Sequence, residues 1–266
     1  MQVLRKSLVA LKDSKRVWVL QFLCNPVLFA LGVLWLNIGV AHIGQLFLNA
    51  LLALVVLAAF LWLQSWTLLY FQEFHTPGSL EETHGGAIKT LLPFAIWAAV
   101  LGGILYFVDA LGSQTGQLAD YLRSISPVWL RNIVSPKIMN SPLDMLVWIF
   151  FWMVVPGILL PLGLQIANRG FHGFGLDGRA LWKQTVFNRR YWLAFCGLVL
   201  IGVLLPELLA SWLPKMKTAQ GETISMVLRL FFAWLLTATA WTVTASMLGK
   251  WGSPALQDGT GPRPAN

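Results

Sequence analysis

Six long apolar stretches dominate the sequence and restrict what the chain can fold into. Each is 18 to 26 residues long, and a helix needs about 20 apolar residues to cross the hydrocarbon core of a bilayer. The strand-like alternation that a membrane β-barrel requires is absent. The sequence therefore predicts an all-α, polytopic membrane bundle of six transmembrane helices. The stretches are Val17–Leu36, Leu46–Phe71, Leu91–Val108, Leu143–Leu164, Tyr191–Leu213 and Ile224–Leu248.

The composition agrees with a lipid environment. Only 11% of the residues are charged and 57% are hydrophobic, whereas soluble domains contain about 25% charged residues. A soluble fold of this size leaves too much of its surface wet to hide so many apolar side chains. The same excess excludes an intrinsically disordered chain.

Lysine and arginine are distributed unevenly between the two sides of the predicted bundle. Thirteen lie in the segments on the side of the two termini and six on the other side. Because such an excess marks the cytoplasmic side, we predict an inner-membrane protein with both termini in the cytoplasm. We expect the basic cytoplasmic face to contact anionic lipids. The net charge of +8 is explained by this orientation signal and predicts no nucleic-acid partner.

A short amphipathic segment precedes each pair of apolar stretches. Apolar residues in the first segment recur with the spacing of one helical face. Ser79 and Glu82 form a capping-box pattern in the second, and Asp177 is placed to cap the third. We therefore predict three membrane hairpins, each preceded by an amphipathic cytoplasmic helix. These predicted helices comprise residues 3–16, 79–90 and 177–190.

The predicted domain organisation follows from these elements. Residues 1–16 are a basic amphipathic helix, and residues 17–249 are the transmembrane domain. An outer interfacial helical loop lies within it at about 113–142. Residues 250–266 are rich in glycine and proline, which predicts a disordered cytoplasmic tail.

Two segments support a family resemblance. Asp177-Gly-Arg-Ala-Leu is followed by Arg189-Arg190-Tyr-Trp192, which is similar to Lys15-Arg16-Val-Trp18 in the first unit. With these motifs the chain resembles the six-helix membrane domain attached to some bacterial glycerophosphodiester phosphodiesterases, and related stand-alone bacterial membrane proteins, over roughly residues 3–248. The resemblance implies a membrane module without an activity. No catalytic residue carries over, because these 266 residues contain no phosphodiesterase catalytic domain.

Two ionisable residues lie inside the predicted spans. Glu207 is near the outer end of the fifth stretch and Arg229 is near the outer end of the sixth. Charges in lipid are costly and are normally paired, so we predict a structural ion pair between them. A polar path for a substrate or a proton through the bundle, and snorkelling of Arg229 to the surface, remain as alternatives.

Prolines and a polar residue also interrupt the apolar stretches. Asn25 and Pro26 lie in the first stretch, and Pro156 and Pro161 lie in the fourth. A proline leaves a helix carbonyl without its hydrogen bond, and broken membrane helices bind ions in some transporters. These residues are a candidate polar or kink site. The alternative is that they simply bend the helices.

The sequence supplies little for catalysis or metal binding. His75, Glu82 and His84 are weak metal candidates, because their spacing matches no common ligand pattern and a solvated capping loop explains them. No catalytic triad, phosphate loop or zinc pattern is present, so we expect no enzyme and no cofactor.

The sequence thus favours a non-enzymatic membrane module that organises membrane-protein partners or lipids. The alternative is a small transporter, a permease subunit or a lipid-moving protein with its site among the kinked helices. A continuous polar cavity around Asn25, Pro156 and Glu207 would favour the alternative.

Overall fold

The fold is helical throughout the residues that the structure describes. The structure is a computed structural model that describes residues 14–38, 42–73, 80–127, 136–212 and 218–251. Six of its helical segments are long and apolar enough to cross a membrane, which confirms the all-α class and the six predicted spans. The chain is a multi-pass membrane protein. The spans are Lys15–Asn37, Ile43–Phe71, Leu91–Gly112, Ser141–Phe174, Arg189–Ser211 and Gln220–Gly249.

The spans and the shorter helices between them are numbered in chain order. Two spans are built from two α-helices joined by a π-helical turn, at Phe150–Val154 and Leu200–Leu204. A short 3₁₀ helix, Gly170–Phe174, ends the fourth span. The α-helices are α1 (Lys15–Asn37), α2 (Ile43–Glu73), α3 (Leu80–Lys89), α4 (Leu91–Gly112), α5 (Thr115–Ile125), α6 (Pro136–Ile149), α7 (Val155–Arg169), α8 (Leu176–Val186), α9 (Arg189–Val199), α10 (Leu205–Ser211) and α11 (Ala219–Trp251).

The chain divides into two compact units. The larger consists of Met1–Ala95 with Pro161–Asn266, and the smaller is Ile96–Leu160. In the larger unit, α11 contacts α1, α2, α9 and α10, and α2 also contacts α1 and α3. Helix α11 is therefore the central element of the larger unit.

Two of the three predicted lead-in helices lie among the described residues. They are α3 and α8, while residues 1–13 and the tail from 252 onward lie outside the described part, as do Ser79 and the side chain of Glu82. The predicted N-cap at Asp177 is wrong, because α8 begins at Leu176 after Gly175. The helix also ends at Val186 instead of continuing to residue 190.

Asn188 explains the early end of α8. Its backbone is extended, with φ −85° and ψ 113°, and its side-chain oxygen accepts a hydrogen bond from the Arg190 backbone N–H at 3.0 Å. Asparagine is among the favoured N-cap residues, since its side chain satisfies a backbone donor that the new helix leaves free. The chain therefore starts the fifth span as a separate helix at Arg189.

In the smaller unit, the short helix α5 packs against α6. The Thr115 hydroxyl donates to Asp144 Oδ1 at 2.7 Å. The end of α4 also approaches α6 closely, because a Cβ built on Gly112 would lie 2.9 Å from Val147 Cγ1. Trp97 Nε1 donates to the Leu159 carbonyl at 3.2 Å, so that the third and fourth spans are also joined. Part of the predicted outer loop is thus helical and anchored to the fourth span.

The burial of α2 and α11 changes abruptly along their length. Nine of the eleven residues 61–71 and ten of the twelve residues 238–249 are buried, whereas none is buried in 43–60 or 220–237. We call residues 61–71 of α2 together with residues 238–249 of α11 the packed half. Residues 43–60 of α2 together with residues 220–237 of α11 are the open half. The two helices contact each other. As the second and sixth of six consecutive spans they run in the same direction, so their packed parts, each at the C-terminal end of its helix, lie at the same end of the larger unit.

Candidate functional site

A chain of hydrogen bonds between neutral polar side chains joins α1 to α2. Gln64 Nε2 donates to Asn25 Oδ1 at 3.4 Å, and Asn25 Nδ2 donates to Gln21 Oε1 at 2.5 Å. Gln21 Nε2 donates to Thr67 Oγ1 at 2.5 Å, and the Thr67 hydroxyl donates to the Leu63 carbonyl at 2.7 Å. We call Gln21, Asn25, Gln64 and Thr67 the amide cluster.

Helical spacing brings these four side chains together. Gln21 and Asn25 are four residues apart on α1, and Gln64 and Thr67 are three apart on α2. Residues at these separations lie on one face of a helix. The two faces meet because α1 and α2 pack against each other.

The amide cluster is enclosed by protein. Gln21 and Thr67 are fully buried, Gln64 is 8% exposed and Asn25 is half-buried. Buried polar groups are costly unless they are hydrogen-bonded, and in lipid such bonds hold helices together. One acceptor, Gln64 Oε1, has no hydrogen-bond partner among the described residues. None of the four side chains carries a charge near neutral pH. The cluster can clamp two helices, and acid–base chemistry is outside its capacity.

A second feature lies in the open half of the larger unit. A groove of about 550 Å³ runs between the end of α10 and the first half of α11, and its lining is almost entirely apolar. Arg229 supplies the cation in this lining and is itself half-buried. Its Nε donates to the Ser225 carbonyl one turn earlier, at 3.2 Å. Hydrophobic grooves with one or two placed polar groups are typical of ligand sites.

The structure places the predicted kink residues in different environments. Asn25 belongs to the amide cluster, whereas Pro26 is exposed in the middle of α1, which continues through it as one helix. The expected interruption of the first span is therefore not a break. Pro156 follows the first π-helical turn and Pro161 lies buried inside α7. They do not join the amide cluster.

The structure does not test the predicted ion pair or the metal candidates. Glu207 is exposed in the first turn of α10 and Arg229 lies in α11, and their ion pair remains a prediction. The side chains of the metal candidates His75, Glu82 and His84 lie outside the described residues.

Sequence reasoning missed several residues that the structure singles out. Gln21, Gln64 and Thr67 carry a signal, since amides and hydroxyls at helical spacing inside an apolar stretch need partners. Pro206 was also missed. It removes the N–H that would bond the Gly202 carbonyl, and the Thr237 hydroxyl donates to that carbonyl at 2.9 Å. Pro206 lies seven residues before Leu213, the predicted outer end of the fifth stretch, and a proline at that position indicates a helix carbonyl that needs another partner.

Comparison with known proteins gives no further guide to function. No protein family matches the chain, and neither a curated protein nor a solved structure is similar enough to match.

Proposed function

We propose that the chain is a non-enzymatic membrane module that organises membrane-protein partners or lipids. The observation that carries this proposal is the amide cluster. Its side chains bond to each other across α1 and α2, and Thr67 bonds to a backbone carbonyl of its own helix. A scaffold needs its helices held in a fixed arrangement, and interhelical hydrogen bonds supply this in lipid. The resemblance to the membrane domain of phosphodiesterases, where catalysis belongs to a separate domain, supports the same proposal.

The open half supplies the surface that such a module would use. Large apolar side chains are exposed along both of its helices, including Phe47 at 72% and Ile224 at 61%. Such faces contact lipid or the helices of another membrane protein. We therefore place partner binding on the open half and structural support in the packed half.

Quantitative co-purification tests this proposal. The full chain is extracted with its surrounding lipids in polymer nanodiscs, and its proteins and lipids are counted by mass spectrometry. We expect at least one protein or lipid to be enriched over an unrelated six-span protein. Asn25→Leu should reduce that enrichment and Val27→Ala, a neighbouring exposed site, should not. Equal recovery from the chain and from the unrelated protein would overturn the proposal.

A specific observation favours a second candidate, a small transporter or lipid-moving protein. Two spans contain a π-helical turn, each followed two residues later by a proline, Pro156 and Pro206. Such turns are rare and occur often at functional sites. Solute or lipid movement in vesicles that depends on Pro206, and is unaffected by Pro26→Ala, would favour this candidate over the module.

We also propose an inner-membrane location with both termini in the cytoplasm. The support is the Lys/Arg asymmetry of the sequence, thirteen against six,. Reporter fusions at Asn140 and at the C-terminus should report opposite sides of the membrane. The same side for both would contradict this topology.

A further inference from the structure

We infer that the groove beside Arg229 binds a phospholipid, with the phosphate on the Arg229 guanidinium and an acyl chain along the apolar floor. This inference rests on the proposed function in that it gives the module one specific lipid. It concerns the open half, at the end of the bundle away from the predicted basic face. Its groove is formed by Leu209 and Trp212 at the end of α10, and by α11 residues from Gly221 to Leu236.

The polarity of the groove matches that of a phospholipid. Gly221, Ser225 and Arg229 lie toward the start of α11, while Phe232, Leu235 and Leu236 line the part nearer its middle. The polar residues of the lining are thus confined to the end nearer the start of α11, where Ile224 and Leu228 also line the groove, and the other end is lined by large apolar residues alone. An amphiphile with a polar head and an apolar tail presents the same order.

The depth of Arg229 suits a lipid phosphate. The sixth span has 30 residues, which is about 45 Å of helix, and the hydrocarbon core is about 30 Å thick. A centred helix would leave about 7 Å outside the core at each end. Arg229 lies nine residues after Gln220, about 14 Å along the axis, so the guanidinium is within reach of the headgroup boundary. Leu235 and Leu236 lie near the bilayer middle.

The chemistry of the guanidinium requires an anion. A charge among apolar side chains is costly in lipid unless it is paired, and the planar guanidinium fork binds phosphate through two parallel hydrogen bonds. The bond from Nε to the Ser225 carbonyl occupies one of five N–H donors and restrains the side chain. The other donors are sufficient for a phosphate and for the predicted Glu207 carboxylate together.

Lipid binding to the purified full chain tests the inference. The delipidated chain is titrated in detergent with phosphatidylglycerol, phosphatidylcholine or diacylglycerol, and the bound lipid is counted by native mass spectrometry. We expect one bound phosphatidylglycerol per chain at the lowest concentrations, weaker phosphatidylcholine binding, and diacylglycerol at least about tenfold weaker, because it lacks the phosphate. Inorganic phosphate should not displace the lipid, since it has no chain to fill the groove.

Matched variants locate the site. Arg229→Gln should weaken phosphatidylglycerol binding about tenfold, and Arg229→Lys by less. Arg190→Gln, at an exposed arginine outside the groove, should leave binding unchanged, which separates the site from general positive charge. Leu236→Trp should reduce binding by filling the apolar end. Glu207→Gln should still bind phosphatidylglycerol, because the inference pairs Arg229 with the lipid phosphate and does not need the Glu207 carboxylate.

Several outcomes would overturn the inference. Equal binding by Arg229→Gln and by the original chain would do so, as would equal binding of diacylglycerol and phosphatidylglycerol. Crosslinking from Ser225 to another protein's helix in place of lipid would show that the groove is a protein interface. In these cases the enrichment of partners by co-purification would still stand, so the proposed function would survive the failure of this inference. If Arg229→Gln does not fold, Arg229→Lys and Leu236→Trp carry the test.

Discussion

The packed half and the open half belong to the same two helices, yet their side chains follow opposite patterns. In α11 the packed half is rich in small and hydroxyl residues from Ala238 to Ser246, and in α2 it contains Gln64, Ser65 and Thr67. The open half contains most of the large aliphatic and aromatic residues, such as Phe47, Leu54 and Phe231, which are exposed. In α2 the more hydrophobic half is therefore the less buried half, and in α11 the larger apolar side chains lie in the less buried half.

This difference reflects the solvent. In water, a leucine is buried because it leaves water, but lipid tails are as apolar as leucine and give it no reason to prefer the protein interior. Small residues allow close backbone approach, and polar side chains gain hydrogen bonds, so these residues hold membrane helices together. Two threonine hydroxyls in the packed half of α11 are satisfied within their own helix: Thr242 donates to the Ala238 carbonyl and Thr244 to the Ala240 carbonyl, each at 2.7 Å.

The largest expected effect comes from one substitution made in both halves of α2. Leu63 is 1% exposed and Leu54 is 63% exposed. We expect Leu63→Ala to lower the free energy of unfolding by about 2 to 3 kcal/mol, near the bottom of the range for buried leucines. The loss is at the low end because lipid, unlike water, already solvates the leucine side chain when the helices are separated. Leu54→Ala should change it by less than about 0.5 kcal/mol.

Unfolding in mixed detergent micelles, followed by tryptophan fluorescence, measures both variants. Equal losses would show that the open half is also packed, for example against a second protein, and the comparison between the halves would fail.

A close approach at the packed half gives the next effect. Gly202 is buried, and a Cβ built on it would overlap the Cβ of Ala240. Gly202→Ala should therefore cost about 2 kcal/mol through overpacking. Gly197→Ala, in the same span, is the control because nothing lies within 4 Å of its added Cβ, and it should be neutral or slightly stabilising. Comparable melting temperatures for the two variants would contradict the close packing of the fifth and sixth spans.

How much the sequence could predict differs between the spans and their packing. The six spans follow from length and hydropathy, and the start of the third, Leu91, was predicted correctly. Hydropathy identifies α2 as a span but does not show which helix its packed half contacts, since lipid and the protein interior are both apolar. The pairing of Gln21 with Thr67 depends on how two helices rotate against each other, which neither helix encodes alone. The break at Asn188 was readable from its capping preference.

A third prediction compares two asparagines. Asn25 makes two hydrogen bonds in the amide cluster, whereas Asn49 in the open half has a buried Oδ1 with no hydrogen-bond partner in the described part of the chain. Asn25→Leu should cost about 1 to 2 kcal/mol, the range for two hydrogen bonds between membrane helices. Asn49→Leu should be neutral or stabilising, because it removes a polar atom that lacks a bond. Unfolding midpoints at constant detergent composition check both, and a loss at Asn49 equal to that at Asn25 would show that the open half depends on polar contacts as well.

The smallest expected effect concerns the predicted pair of Glu207 and Arg229 in the open half. Glu207 is exposed and both groups lie near the outer ends of their spans, where headgroups and water screen them. Their interaction should therefore contribute less than about 1 kcal/mol, well below the effects in the packed half. Removing one partner leaves a charge near lipid, whereas removing both leaves none. We therefore expect the folded yield in membranes to be lower for Glu207→Leu and Arg229→Leu than for the double variant. A double variant no better than the worse single variant would contradict the pair.

If all three fold as well as the original chain but Arg229→Leu loses bound phosphatidylglycerol, the arginine serves the lipid and not the hairpin. Either result separates the two halves further, because it shows whether the charges of the open half hold the helices together or bind a ligand.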